Sequence, residues 1–195
     1  MKVLITGGSG MVGKNLIEHT RANGHEVLSP SSRELNLLSY ENTVDWVRNN
    51  TPDMVIHCAG HVGGIQANIA DPAGFLVKNL DMGRNIVMAA QEVGVSKLIN
   101  LGSSCMYPRA AENPLKEAQI LTGELEPTNE GYALAKIAVA RMCSYLSATR
   151  TELDYKTLMP CNLYGAHDKF DPKVSHLLPA IIRKVHDAKT QGLGS

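Results

Sequence analysis

Tyr132 and Lys136 stand four residues apart in EPTNEGYALAK (126–136), where apolar spacing predicts a helix over 131–148. On a helix that spacing projects both side chains from one face. An ammonium beside a phenol lowers the phenol's pKa, so the pair predicts a tyrosine that gives its proton to a carbonyl oxygen as hydride reaches the carbon. The same spacing also arises from an interior Tyr with a snorkelling Lys. A reducing site needs in addition a hydroxyl to hold the carbonyl oxygen. Ser103, which follows the strand-like KLINLG (97–102), stands where open parallel sheets place their ligands.

Hydride chemistry requires a carrier, and the amino-terminal residues offer a seat for one. KVLIT (2–6) runs directly into Gly7, Gly8, Ser9, Gly10, Met11, Val12 and Gly13, and then into a helical pattern over 11–22. Glycines at 7, 10 and 13 permit a tight turn, close approach of the backbone to a pyrophosphate, and tight helix-on-strand packing, with the helix amino terminus facing the anion. Strand before and helix after make this a dinucleotide-binding turn rather than a chance run of glycines. After the second strand an NAD-selective site offers a carboxylate to the ribose 2′-hydroxyl. Here the chain reads Ser29, Pro30, Ser31, Ser32, Arg33. Hydroxyls beside a guanidinium suit a 2′-phosphate, so the expected cofactor is NADP(H), with Ser32 and Arg33 as contacts. A solvated loop arginine is the plainer explanation for Arg33 taken alone.

The elements that must position these residues alternate in period. Strand candidates are 2–6, 26–29, 54–59, 97–102 and 155–162; helix candidates are 11–22, 40–49, 74–93, 131–148 and 174–188. Near-continuous apolar strands between amphipathic helices predict an α/β, Rossmann-type, doubly wound parallel sheet with helices on both faces. Asn23 and Gly24 stop the first helix where a left-handed cap is wanted. The segment 104–130 carries Pro108, Pro114, Pro127 and Gly123, and reads as a long functional loop.

Length and composition bound the rest. The 195 residues, 44% of them hydrophobic, suffice for one domain and a real core. Nineteen Lys+Arg balance nineteen Asp+Glu, leaving no electrostatic footprint for nucleic acid or an anionic membrane. No apolar run approaches the roughly 20 residues of a membrane span, and the amino terminus is too short for a secretory signal. Cys58, Cys105, Cys143 and Cys161 lie far apart, without metal-site spacing, and fit free thiols in a reducing, cytoplasmic setting. Position, not number, decides which of them reacts.

Taken together, TGGSGMVG (6–13), HVGGIQAN (61–68), LGSSCMYP (101–108), EPTNEGYALAK, MPCNLYGAHDKF (159–170) and SHLLP (175–179) resemble an extended short-chain dehydrogenase/reductase and, within that superfamily, the GDP-L-fucose synthases. The turn and the Tyr132/Lys136 pair are shared across the superfamily; VGGI, the SSC triplet and NLYGAHDKF are much narrower. The resemblance implies epimerisation of GDP-4-keto-6-deoxy-D-mannose at C3 and C5, then reduction at C4 with NADPH. The C4 ketone acidifies the flanking protons, so epimerisation needs one group to remove a proton and another to return one on the opposite face. The resemblance assigns these roles to Cys105 and His176. If 103–105 is extended, Ser103 and Cys105 share a face, with the thiol beside the serine. Read alone, Cys105 is a buried structural thiol and His176 an ordinary helix-start residue.

The same resemblance assigns Asn36 and Leu37 to the adenine side, Asn162 and Leu163 to the nicotinamide, and Lys184 to a substrate contact; His61 receives no role. It implies a homodimer through the helix bearing Tyr132 and the helix before it, with Ile120, Leu121, Ile137, Val139 and Met142 as covering residues. Residues 1–190 then form the NADP-binding domain, and 191–195 the junction to a smaller substrate domain expected beyond this sequence. Two other functions share part of the pattern. A 4,6-dehydratase or 4-epimerase would use the turn and the Tyr/Lys pair without a thiol at 105, and a silent dinucleotide-binding module would use the turn alone.

Overall fold

The computed structural model describes residues 1–22, 24–171, 175 and 177–192. Its strands are β1 (Lys2–Thr6), β2 (Glu26–Leu28), β3 (Met54–His57), β4 (Lys97–Leu101) and β5 (Asp154–Leu158). Its helices are α1 (Met11–Ala22), α2 (Tyr40–Asn50), α3 (Ile65–Ala70), α4 (Pro72–Val93), α5 (Glu130–Thr149) and α6 (Leu177–Thr190). The strands form one parallel sheet in the order β2-β1-β3-β4-β5. The chain moves one way from β1 to β2 and the other way from β2 to β3, so right-handed crossovers put α1 and α2 on opposite faces. The reversal opens a crevice at the carboxyl ends of β1 and β3, where doubly wound sheets bind ligands.

Local rules explain the helix ends. Ser39 Oγ accepts from Asn42 N at the start of α2, and Asp71 accepts from Gly74 N at the start of α4, which has Pro72 in its first turn. Gly94 closes α4 at φ 88°, where a side chain would be strained. Strand residues Leu4, Val55 and Leu98 are buried against Ile86, Val87, Ala89 and Ala90 of α4 and Val139 of α5. Gly83 allows α4 and α5 to approach, since a Cβ there would meet Val139 Cγ2 at 2.4 Å. A smaller cluster of Met106, Leu125, Ala133 and Ile137 lies under the 104–125 loop and ties it to α5.

Several boundaries differ from the sequence expectation. The β3 ladder stops at His57 and the β5 ladder at Leu158, leaving Cys58 and 159–162 as loop rather than strand. The helix α3 was not expected; at six residues it is too short to show a period. The 104–130 loop holds three 3₁₀ turns, at Ser104–Met106, Glu117–Gln119 and Pro127–Asn129. Ile137 and Val139 are 5% and 2% exposed, inside the core, and so cannot cover a dimer surface as expected. Among the described residues, the exposed large apolar side chains of α4 and α5 are Val77, Leu134 and Tyr145. The expected helix-stopping Asn23 lies outside the described residues.

Candidate active site

The glycine turn is built by exclusion of side chains. Gly7 has φ +70°, and a Cβ on it would sit 2.6 Å from Ala59 N at the exit of β3. A Cβ on Gly13 would sit 2.4 Å from Gly7 O and 2.6 Å from Gly8 Cα. Gly10 N donates to Gly7 O at 3.0 Å, which closes the turn. The backbone of 7–13 therefore lies against the β3 exit and leads into the amino terminus of α1, a cradle suited to a pyrophosphate. Beneath it, Thr6 Oγ1 shares a hydrogen bond with His57 Nδ1 at 2.8 Å and accepts from Ala59 N at 3.3 Å. Burial holds His57 neutral, with its pKa pushed down to about 3.

Along the crevice, Lys136 Nζ donates to Leu101 O at 2.9 Å and lies 5.6 Å from the centre of the Tyr132 ring. Burial dominates both groups: the Lys136 pKa falls to about 8 and the Tyr132 phenol rises to about 12. The phenol is therefore raised rather than lowered as its spacing from Lys136 predicts. The cation faces the ring and the Leu101 carbonyl, while desolvation outweighs the help Tyr132 receives from a hydrogen bond with Ser103. At neutral pH Tyr132 carries its proton, the form a donor requires.

Ser103 and Cys105 are neighbours here, but not by the expected route. The segment 104–106 is a 3₁₀ turn, and Ser103 caps it, its Oγ accepting from Cys105 N at 3.2 Å. Short polar residues prefer such local bonds to continuing a strand. The Cys105 sulfur accepts from Asn129 Nδ2 at 3.1 Å, and Cys105 is electrostatically coupled to Tyr132. Ser103, Cys105, Tyr132 and Lys136 therefore form one corner past the end of β4.

The remaining assignments fall at different depths. Ser32 and Arg33 are exposed on the loop after β2, and among the described residues Arg33 makes no ion pair. A carboxylate does stand next in the chain. Glu34 turns back to accept from Ser31 N and Ser31 Oγ, both at 2.8 Å. Asn36 is exposed, whereas Leu37 is 8% exposed within the core, its carbonyl accepting from the buried Asn85 Nδ2 at 2.8 Å. Asn162 and Leu163 are exposed after β5, and Lys184 is exposed on α6. His176 lies outside the described residues.

Tertiary contacts bring in further residues. Asn79, 4% exposed, accepts from His61 N and donates to His61 O, pinning the loop beyond β3. Asn15 Nδ2 donates to Ala166 O, and His167 pairs with Glu18 at 2.7 Å, which ties the 164–168 loop to α1. Long-range pairs of this kind leave no periodic trace. Among the described residues no group of His, Cys, Asp or Glu is arranged to hold a metal, and no helix is long and apolar enough to cross a membrane.

The family model described as the NAD dependent epimerase/dehydratase family matches residues 3–194. This chain belongs to that family. Among its relatives, a GDP-L-colitose synthase from Yersinia pseudotuberculosis is 51% identical over 192 residues, covering 98% of this chain and 62% of that protein. A GDP-L-fucose synthase from Azorhizobium caulinodans is 52% identical over 191 residues, covering 98% and 61%. A solved GDP-D-glycero-L-gluco-heptose synthase from Campylobacter jejuni, determined in the presence of NADPH, superposes with a TM-score of 0.93 at 34% identity, covering 98% of this chain and 56% of that one. The chain thus spans about three-fifths of the length of the curated epimerase/dehydratase relatives it matches.

Proposed function

We propose that this chain carries the dinucleotide-binding and catalytic parts of an NADP(H)-dependent GDP-sugar epimerase/reductase, which converts GDP-4-keto-6-deoxy-D-mannose to GDP-L-fucose. Cys105 carries the reading. A thiol in the same corner as Ser103 and Tyr132 has no use in ketone reduction alone, and a clear use in moving protons beside the ketone. The names of the similar proteins support the same class of GDP-sugar.

Gly7, Gly8, Ser9, Gly10, Met11, Val12 and Gly13 would hold the pyrophosphate, Ser32 and Arg33 the 2′-phosphate, Asn36 and Leu37 the adenine side, and Asn162 and Leu163 the nicotinamide side. NADP(H), when bound, supplies the hydride. The chain's own residues do the rest. Ser103 hydrogen-bonds the C4 oxygen, and Tyr132 delivers the proton that the oxygen needs as it becomes an alkoxide. Lys136, whose pKa of about 8 leaves it mostly charged at pH 7, offsets the developing negative charge. Cys105 and His176 exchange protons at C3 and C5, one removing and the other returning on the opposite face. Lys184 is a substrate contact in this scheme.

Loss of reduced-nicotinamide absorbance with GDP-4-keto-6-deoxy-D-mannose and NADPH supports this function; cofactor binding without turnover supports a silent module. Near-equal similarity to a protein named for another GDP-sugar calls for a panel of GDP-4-keto sugars in that assay. NADPH is expected to bind more tightly than NADH, with Arg33→Ala weakening NADPH selectively by ~1–3 kcal/mol, the cost of a lost charge-assisted hydrogen bond. Fluorescence titration measures both, and equal affinities would favour the Glu34 carboxylate as the group that governs the ribose. A homodimer through α4 and α5 is supported by exposed Val77, Leu134 and Tyr145. Light scattering at micromolar concentration tests it.

A further inference from the structure

Asn129 is the residue before the first turn of α5, where an Asn side chain ordinarily accepts a hydrogen bond from the second or third amide of its own helix. Ser39 and Asp71 do this for α2 and α4. Asn129 makes no side-chain cap. Its amide nitrogen donates instead to Cys105 Sγ at 3.1 Å, across 24 residues of chain. Its Oδ1 is buried and has no hydrogen-bond partner among the described residues. Both departures cost stability, and a side chain turned to cap α5 would avoid the first. Departures from local rules of this kind collect where function requires them.

The contact fixes the sulfur in two ways. Ser103 Oγ holds the Cys105 main-chain nitrogen and Asn129 holds its side chain, so the thiol is constrained from both ends. An amide N–H is also a better partner for a sulfur anion than for a neutral thiol, because hydrogen bonds to charged acceptors are stronger. Tyr132, which interacts electrostatically with this sulfur, is neutral at working pH, and the Asn129 amide is placed to donate to the sulfur anion.

We propose that Asn129 is a positioning residue for Cys105, its amide holding the sulfur and stabilising the thiolate that takes a proton from the sugar carbon beside the ketone. In that step the C–H electron pair passes into the enolate, the proton goes to sulfur, and the neutral thiol can return it. This rests on the reading of Cys105 as a proton-transfer group given above.

Peptide-resolved alkylation by iodoacetamide, followed against pH, tests the proposal without any sugar, with exposed Cys161 as internal standard. Asn129→Ser keeps a good capping residue and removes the amide; it is expected to leave the thermal midpoint unchanged or higher while raising the Cys105 reactivity midpoint by about one pH unit, a roughly tenfold loss of reaction at neutral pH. Asn129→Asp, which puts a carboxylate against the sulfur, is expected to shift it further in the same direction. Cys161 should not move in either variant. An unchanged Cys105 profile in both variants overturns the proposal, as does a change that accompanies a lowered thermal midpoint and an equal change at Cys161. That failure leaves the proton-transfer reading standing. Failure of the reading itself would appear separately, as wild-type deuterium entry at C3 and C5 in Cys105→Ser.

Discussion

The glycine turn at 7–13 and the corner of Ser103, Cys105 and Asn129 both follow strands of the same sheet, yet they are held by opposite means. The turn is fixed by backbone against backbone: Gly13 against Gly7 and Gly8, and Gly7 against Ala59. At Gly7 and Gly13 no side chain fits. The corner is fixed by side chains that reach across the fold, from Asn129 to Cys105 and from Lys136 to Leu101 O. It also leaves Asn129 Oδ1 buried without a partner among the described residues. A cradle for a common cofactor can be rigid and cheap to build, whereas a site that shuttles protons depends on individually placed groups that sacrifice local stability.

Substitution in the turn should be the most damaging. Gly13→Val drives a branched side chain into Gly7 O and Gly8 Cα, so the turn must open. It should cost ~3 kcal/mol, the upper range for overpacking, and abolish NADPH binding. Denaturant unfolding and fluorescence titration measure the two losses, and retained binding would mean that the turn is not the cradle.

The support under the turn should be pH-sensitive. His57 titrates near 6.5 in the unfolded chain and at about 3 when folded, so between these values the unfolded state binds more protons. Its contribution is complete above pH 6.5 and is lost as pH falls toward 3. The urea midpoint should therefore drop between pH 7 and pH 4, and drop less in His57→Asn. An equal drop in both proteins would remove His57 from the acid response.

The smallest effect sharpens the contrast at helix starts. Ser39→Ala should cost about 1 kcal/mol, because Ser39 caps α2, with activity unaffected. Asn129→Ser should cost nothing in stability. Equal losses would mean that Asn129 serves only its helix.

This contrast also explains what could be read from the sequence. The turn was legible because a run of glycines between a strand and a helix has few other uses, and the inner strands β1, β3 and β4 because buried parallel strands are rich in apolar residues. Tyr132 and Lys136 were legible through helical spacing. The bend at Ser104–Met106 was not, since a serine choosing its own backbone over a ladder bond leaves no pattern. Nor were Asn129, Asn79 and the return of Glu34 to Ser31, which depend on contacts set by the tertiary fold. The Tyr132 phenol shifted opposite to expectation because spacing shows that a lysine shares its face, and burial is not visible there.

The proposed function divides the labour, with Cys105 and His176 moving protons at C3 and C5 and Tyr132 and Lys136 serving reduction at C4. Mass spectrometry of the sugar product formed in heavy water tests it most directly. Tyr132→Phe should slow reduction by ~10²- to 10⁴-fold while deuterium still enters at C3 and C5, and Cys105→Ser should lose that entry while retaining reduction. Deuterium uptake at the wild-type rate in Cys105→Ser would contradict the account.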